Sequence, residues 1–127
     1  MKKVLLWIWQ LPQNLAGWLL TRRSKSRHIT GTSEDQYTIY FYKKFFGSGV
    51  SLGDYIILES SRRNIKTIHH EHGHQKQSRM LGPLYLIVIG LPSLLGNIYS
   101  RIFHKSYEWY YKQPWEAWAD KLGGVER

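Results

Sequence analysis

His70-Glu71-His72-Gly73-His74 is the stretch around which the chain is organised, and it carries the pattern H-E-x-x-H. On a helix, His70 and His74 are one turn apart and share a face. Two imidazoles on one face suit a tetrahedral zinc ion, and Glu71 beside them is placed to reach a water on that ion. The pattern predicts a helix over 64–81, with Ile65 and Ile68 on its apolar side and Gly82-Pro83 ending it. Ser60 or Ser61 is the expected N-cap. His69 and His72 fall off the metal face of such a helix.

A catalytic zinc takes three protein ligands and leaves one position open. The chain has no cysteine, so histidine and carboxylate must supply all three. The same absence excludes disulfide staples, thiolate zinc sites and thiol catalysis. Near the C-terminus, Glu116-Ala117-Trp118-Ala119-Asp120 reads E-x-x-A-D on a helix expected over 114–122. Pro114 suits the first position of that helix and Gly123-Gly124 its end. Glu116 is the candidate third ligand. Asp120, one turn on, is placed to accept the outer N–H of a ligand histidine and fix its tautomer. Ala117 and Ala119 permit close packing on the histidine helix.

The remaining segments build a setting for these two helices. With 127 residues the chain is one domain, 1–127, of α+β class and mainly helical. Residues 1–22 form an apolar, membrane-interacting helix with Trp7, Trp9 and Trp18 as anchors. Gln10, Gln13, Asn14, Gly17 and Thr21 make a narrow polar stripe along it, and Pro12 kinks or restarts it. Residues 22–36 are basic, then polar, and read as a loop. Segments 36–46 and 50–58 read as strands of an antiparallel β-hairpin over 36–58, turned at Gly47-Ser48-Gly49, with a bulge or break at Gly53-Asp54. Residues 83–103 are a hydrophobic segment broken by proline and glycine.

The net charge is +9, from 18 basic and 9 acidic residues. The basic residues gather at the ends of the apolar stretches, which favours membrane lipid as a partner over nucleic acid. No recognisable nucleic-acid module is present. Positive charge flanks both greasy segments. That pattern points to monotopic or re-entrant association with a membrane and leaves spanning open.

His70, Glu71, His74, Glu116 and Asp120 together resemble the gluzincin clan of zinc metallopeptidases, over about residues 64–124. The spacing is similar to the membrane-embedded CAAX-prenyl-protease type, and to small uncharacterised bacterial membrane proteins with an H-E-x-G-H motif. The resemblance implies a minimal zincin fold and a bacterial cytoplasmic-membrane location. It implies Zn²⁺ as cofactor and a peptide or protein as substrate. By it, Glu71 is the general base of a zinc-activated water that hydrolyses peptide bonds. A further oxyanion donor is expected among His104, Tyr107, Tyr110 and Tyr111. One strand of the hairpin would align an extended peptide. The alternative is a non-catalytic zinc-binding protein of the membrane surface that keeps the gluzincin fold.

Overall fold

The computed structural model describes residues 2–22, 24, 26–32, 35–43, 49–62 and 64–127. The protein is α+β, with a small mixed sheet among helices. The expected turn at residues 47 and 48, the end of the 36–46 strand, and Arg23 and Lys25 of the basic run lie outside the described residues.

The histidine helix, α3, runs Ile65–Leu81. Its N-cap is Asn64, not Ser60 or Ser61. Asn64 is extended and its side chain accepts the Thr67 N–H at 2.9 Å. The serines are instead used in a single 3-10 turn, Ser60–Arg62, that precedes the cap. Gly82, at φ 58°, closes the helix.

The strands are β1 (Ser26–Gly31), β2 (Gln36–Tyr42), β3 (Gly49–Leu52) and β4 (Tyr55–Glu59), in the order β1-β2-β4-β3. This corrects the expected hairpin over 36–58. β2 pairs with β4 in parallel, Ile39 opposite Ile56. The hairpin is β3–β4, with Leu52 opposite Tyr55 around Gly53-Asp54, so those two residues are its turn rather than a bulge. Residues 22–36, read as a loop, hold β1, which pairs antiparallel with β2. Residue alternation reveals a strand but not its neighbour. An exposed edge strand such as β1 needs no apolar face, so its basic sequence hid it.

One face of the sheet carries Tyr37, Ile39, Phe41, Ile56 and Leu58, all buried, and packs against Ile68 of α3. The edge strand β3 is thereby held beside the histidine helix.

The N-terminal segment is two helices, α1 (Lys2–Trp9) and α2 (Leu11–Thr21), broken at Gln10 with Pro12 in the first turn of the second. Its polar stripe faces inward: Gln10, Gln13, Asn14, Gly17 and Thr21 are all buried. Gln13 Nε2 donates to Ser78 Oγ and to the Gly82 carbonyl, each at 2.8 Å, and Ser78 Oγ donates to Gln10 Oε1 at 2.6 Å. Asn14 Oδ1 accepts the Asp54 N–H at 2.7 Å, and the Trp9 indole donates to the Arg79 carbonyl. The apolar residues Val4, Leu5, Ile8, Leu15, Trp18 and Leu19 point outward, from 45 to 60% exposed. A surface helix of a protein in water shows the reverse arrangement.

The hydrophobic segment is a 3-10 turn (Gly82–Leu84), a π turn (Leu86–Gly90) and helix α4 (Leu91–Ile102). Leu84, Ile87, Leu91, Leu95 and Ile102 on it are exposed as well. Among the described residues no single helix is long and apolar enough to cross a membrane; Ile65–Leu84 and Leu86–Ile102 form a pair bent by 120°. A short helix α5 (Tyr107–Tyr111), not expected from the sequence, is capped by Ser106 and leads into α6 (Pro114–Gly123). Gly124, at φ 74°, caps α6 by donating to the Asp120 and Lys121 carbonyls.

Candidate metal centre

Helices α3 and α6 touch at Gly73 and Ala119. A Cβ on Gly73 would overlap the Ala119 carbonyl oxygen, so the absence of a side chain sets how near the two helices lie. That approach brings Glu116, wholly buried, against the buried His70 and His74.

The geometry suits a zinc ion. Glu116 Oε1 is 3.0 Å from His74 Nε2 and 3.6 Å from His70 Nε2. Zinc–ligand bonds of about 2.0–2.1 Å in a tetrahedron place ligand atoms roughly 3.3 Å apart, midway between those distances. Both outer ring nitrogens are occupied. His70 Nδ1 donates to Asp120 Oδ1 and His74 Nδ1 to Gln77 Oε1, each at 2.7 Å. Each Nε2 is thereby directed at the common point.

His70, Glu71 and His74 also place ligand atoms within 4.8 Å of one another. Glu116 is nevertheless the better third ligand than Glu71. It closes the site from behind, while Glu71 and His74 face an adjoining cavity of about 400 Å³. Glu71 Oε2 is buried with no hydrogen-bond partner among the described residues. A carboxylate oxygen left without a partner suits proton transfer more than ligation.

The charges follow the geometry. Burial would lower the pKa of His70, but its hydrogen bonds to Asp120 and Glu116 outweigh that and raise it to about 9. His74 is raised too, by Glu116 against the effect of burial. Burial pushes the Glu71 carboxyl up, and the two histidines only partly offset it. Glu116 and Asp120 are held low despite burial, the first by His74 and His70, the second by His70 and Arg127.

These shifts predict a pH signature. His70, raised to about 9, contributes stability to the metal-free protein that is fully present below the ordinary histidine value near 6.5. That contribution is lost as pH rises through about 9. Zinc requires neutral imidazoles and displaces those protons. Thermal unfolding of chelator-treated protein should therefore fall between pH 6.5 and 9, while the zinc-loaded protein holds its midpoint. A chelated protein that gains stability across this interval would contradict the assignment.

The structure brings all five expected site residues into one cluster. It also adds neighbours the sequence reading missed. Ser93 Oγ donates to Glu116 Oε1 at 3.0 Å and meets the Tyr110 hydroxyl at 2.9 Å. Arg127 donates to Asp120 Oδ2 at 2.7 Å and lies over the Tyr111 ring. Gln77 was legible, since it stands three residues after His74 on the same helix. A lone serine in a greasy run was a fainter signal for Ser93, and nothing in the sequence marked Arg127. Of the four expected oxyanion donors, Tyr110 alone lines the cavity. Tyr111 sets its ring edge-on to His70, while His104 and Tyr107 are exposed. Ser51 Oγ and Asn97 Oδ1 line the same cavity, buried and without partners among the described residues.

His72 faces away from the metal. It stacks on Tyr37, bonds Asp35 Oδ2 at 2.8 Å and shares that carboxylate with Arg79. His69 is exposed. Comparison with family models, with curated proteins and with solved structures finds no match to the chain.

Proposed function

We propose that the protein is a membrane-associated zinc peptidase. The observation that carries this reading is the disposition of carboxylates about one pair of histidines. Glu116 lies behind them at ligand distance, Asp120 orients one of them, and Glu71, on the side open to the cavity, keeps Oε2 without a partner among the described residues. His70, His74 and Glu116 would hold the zinc. When bound, zinc supplies a Lewis acid that polarises a carbonyl and acidifies water.

The protein's own groups account for the rest of the chemistry. Glu71 takes the proton of the attacking water and passes it to the leaving amine. Its raised pKa improves the match to that role near neutral pH. The Tyr110 hydroxyl lines the cavity and donates to Ser93 Oγ, whose own proton is given to Glu116 Oε1, so the two hydroxyls hold the Glu116 carboxylate in place. Strand β3 is one edge of the described sheet and lines the cavity, so an extended peptide can add to it. Ser51 Oγ and Asn97 Oδ1 then meet peptide groups of the substrate.

Membrane association is supported by the inverted surface of α1 and α2. Hydrogen-bonding side chains face the protein and apolar ones face outward, as expected where lipid is the solvent. Contiguous apolar patches above roughly a few hundred Å² are unusual on monomers in water.

The test is metal analysis of purified protein, followed by cleavage of a peptide library. One zinc per chain is expected, with cleavage abolished by chelator and restored by zinc. Protein that takes up no zinc would overturn the reading. Zinc binding without cleavage of any peptide would leave the non-catalytic alternative in its place.

A further inference from the structure

A second cavity, of about 440 Å³, lies apart from the metal centre at the end of α2. It is lined by Trp18, Arg22, Ser24, Arg27, Tyr40 and Tyr55. No residue of the metal centre borders it. We propose that this cavity binds the phosphate of an anionic phospholipid headgroup.

Three observations converge on that ligand. First, two arginines from separate elements, Arg22 at the end of α2 and Arg27 of strand β1, line one concave site. No described carboxylate forms an ion pair with either of them. Arginine forks match phosphate oxygens in pairs. Second, the site is preset. The Arg22 guanidinium lies over the Trp18 ring, 4.9 Å from its centre, and Ser24 Oγ ties the connecting turn to the Ser26 carbonyl at 3.1 Å. Third, the cavity continues into the outward apolar stripe of α2. Leu15, Trp18, Leu19 and Arg22 succeed one another at helical spacing, and all are exposed.

An acyl chain along Leu15 and Leu19 and a phosphate at Arg22 and Arg27 reproduce the polarity of a phospholipid. Tryptophan at the junction suits the level of the headgroups. A nucleic acid would match the charge but would leave the apolar stripe bare. A free phosphate ion would leave it bare as well.

The experiment uses full-length protein and sedimentation with phosphatidylcholine vesicles, with and without phosphatidylglycerol. Wild-type protein should prefer the anionic vesicles. The double variant Arg22→Gln/Arg27→Gln should lose roughly tenfold or more of that affinity. A matched control, Lys66→Gln/Lys121→Gln, removes the same two charges from exposed sites elsewhere and should lose under about threefold. Arg22→Lys/Arg27→Lys keeps the charge, removes the forks and should fall between. Circular dichroism and zinc content verify that each variant folds.

Equal losses in the arginine variant and the lysine control would reduce the effect to net charge and overturn the site. Competition by inorganic phosphate as effective as that by glycerophosphoglycerol would reassign the site to the free ion. Binding of a single-stranded oligonucleotide lost in the same variant, with vesicle binding retained, would overturn the lipid. None of these readouts includes a peptidase step, so failure here leaves the metal-centre reading standing, and the reverse holds too.

Discussion

Gly73→Ala should lower stability by about 3 kcal/mol or more and empty the metal centre, although alanine is the better helix former. Intrinsic propensity alone favours alanine by roughly 0.5–1 kcal/mol in a helix interior. The packing decides the sign. A methyl at position 73 would overlap the backbone carbonyl of Ala119, and backbone cannot swing aside as a flexible side chain can. Helix α6 must move away, taking Glu116 and Asp120 with it. An ångström of displacement breaks a ligand set that needs bonds of about 2 Å. The expected readouts are a thermal midpoint lower by roughly 10 °C or more and zinc retention well below one per chain. Gly124→Ala is the contrast. Its left-handed φ of 74° costs about 1–2 kcal/mol, but among the described residues no packed neighbour lies within 4 Å of the added methyl, so zinc should stay. A Gly73→Ala protein with wild-type midpoint and full zinc would show that the helix crossing does not position the ligands.

How much of this was legible in the sequence depended on whether the deciding interaction was local. Helix α3 and its histidines follow from spacing on one helix. Glu116 and Asp120 follow from the same rule applied to α6, and the two boundaries differ from expectation by a residue or less. The sheet was less legible. Which strand pairs with which is set by contacts between distant segments, and β2 and β4, joined through β3, align in parallel. The polar stripe on α2 was visible, yet its direction was not. Gln13 and Asn14 find partners in Ser78, Gly82 and Asp54, up to 69 residues away, so only the folded chain shows that the stripe faces inward. Ser93 and Arg127 reach the site by tertiary contact alone.

Glu71→Gln should remove turnover while leaving the metal in place, and it should make the chelator-treated protein more stable. The proposed ligand set, His70, His74 and Glu116, is untouched, so zinc content should match wild type. Glutamine keeps the shape of the side chain but cannot accept a proton. Loss of a general base costs roughly 10²–10⁴-fold in rate, and the loss should appear in kcat with KM changed little. The stability change has the opposite sign for a reason visible in the site. Glu71 is buried, one of its oxygens has no partner among the described residues, and burial raises its pKa. A carboxyl whose folded pKa is raised opposes folding once pH exceeds its unfolded value near 4.3, because the buried charge is then disfavoured. The neutral amide relieves this, so the chelator-treated variant should unfold at a higher temperature than chelator-treated wild type at pH 7. A carboxylate kept at a cost to stability is what a group retained for chemistry should look like. Full turnover in the variant would remove Glu71 from the mechanism. A fall in midpoint of the chelator-treated variant would mean that the charge serves the fold instead.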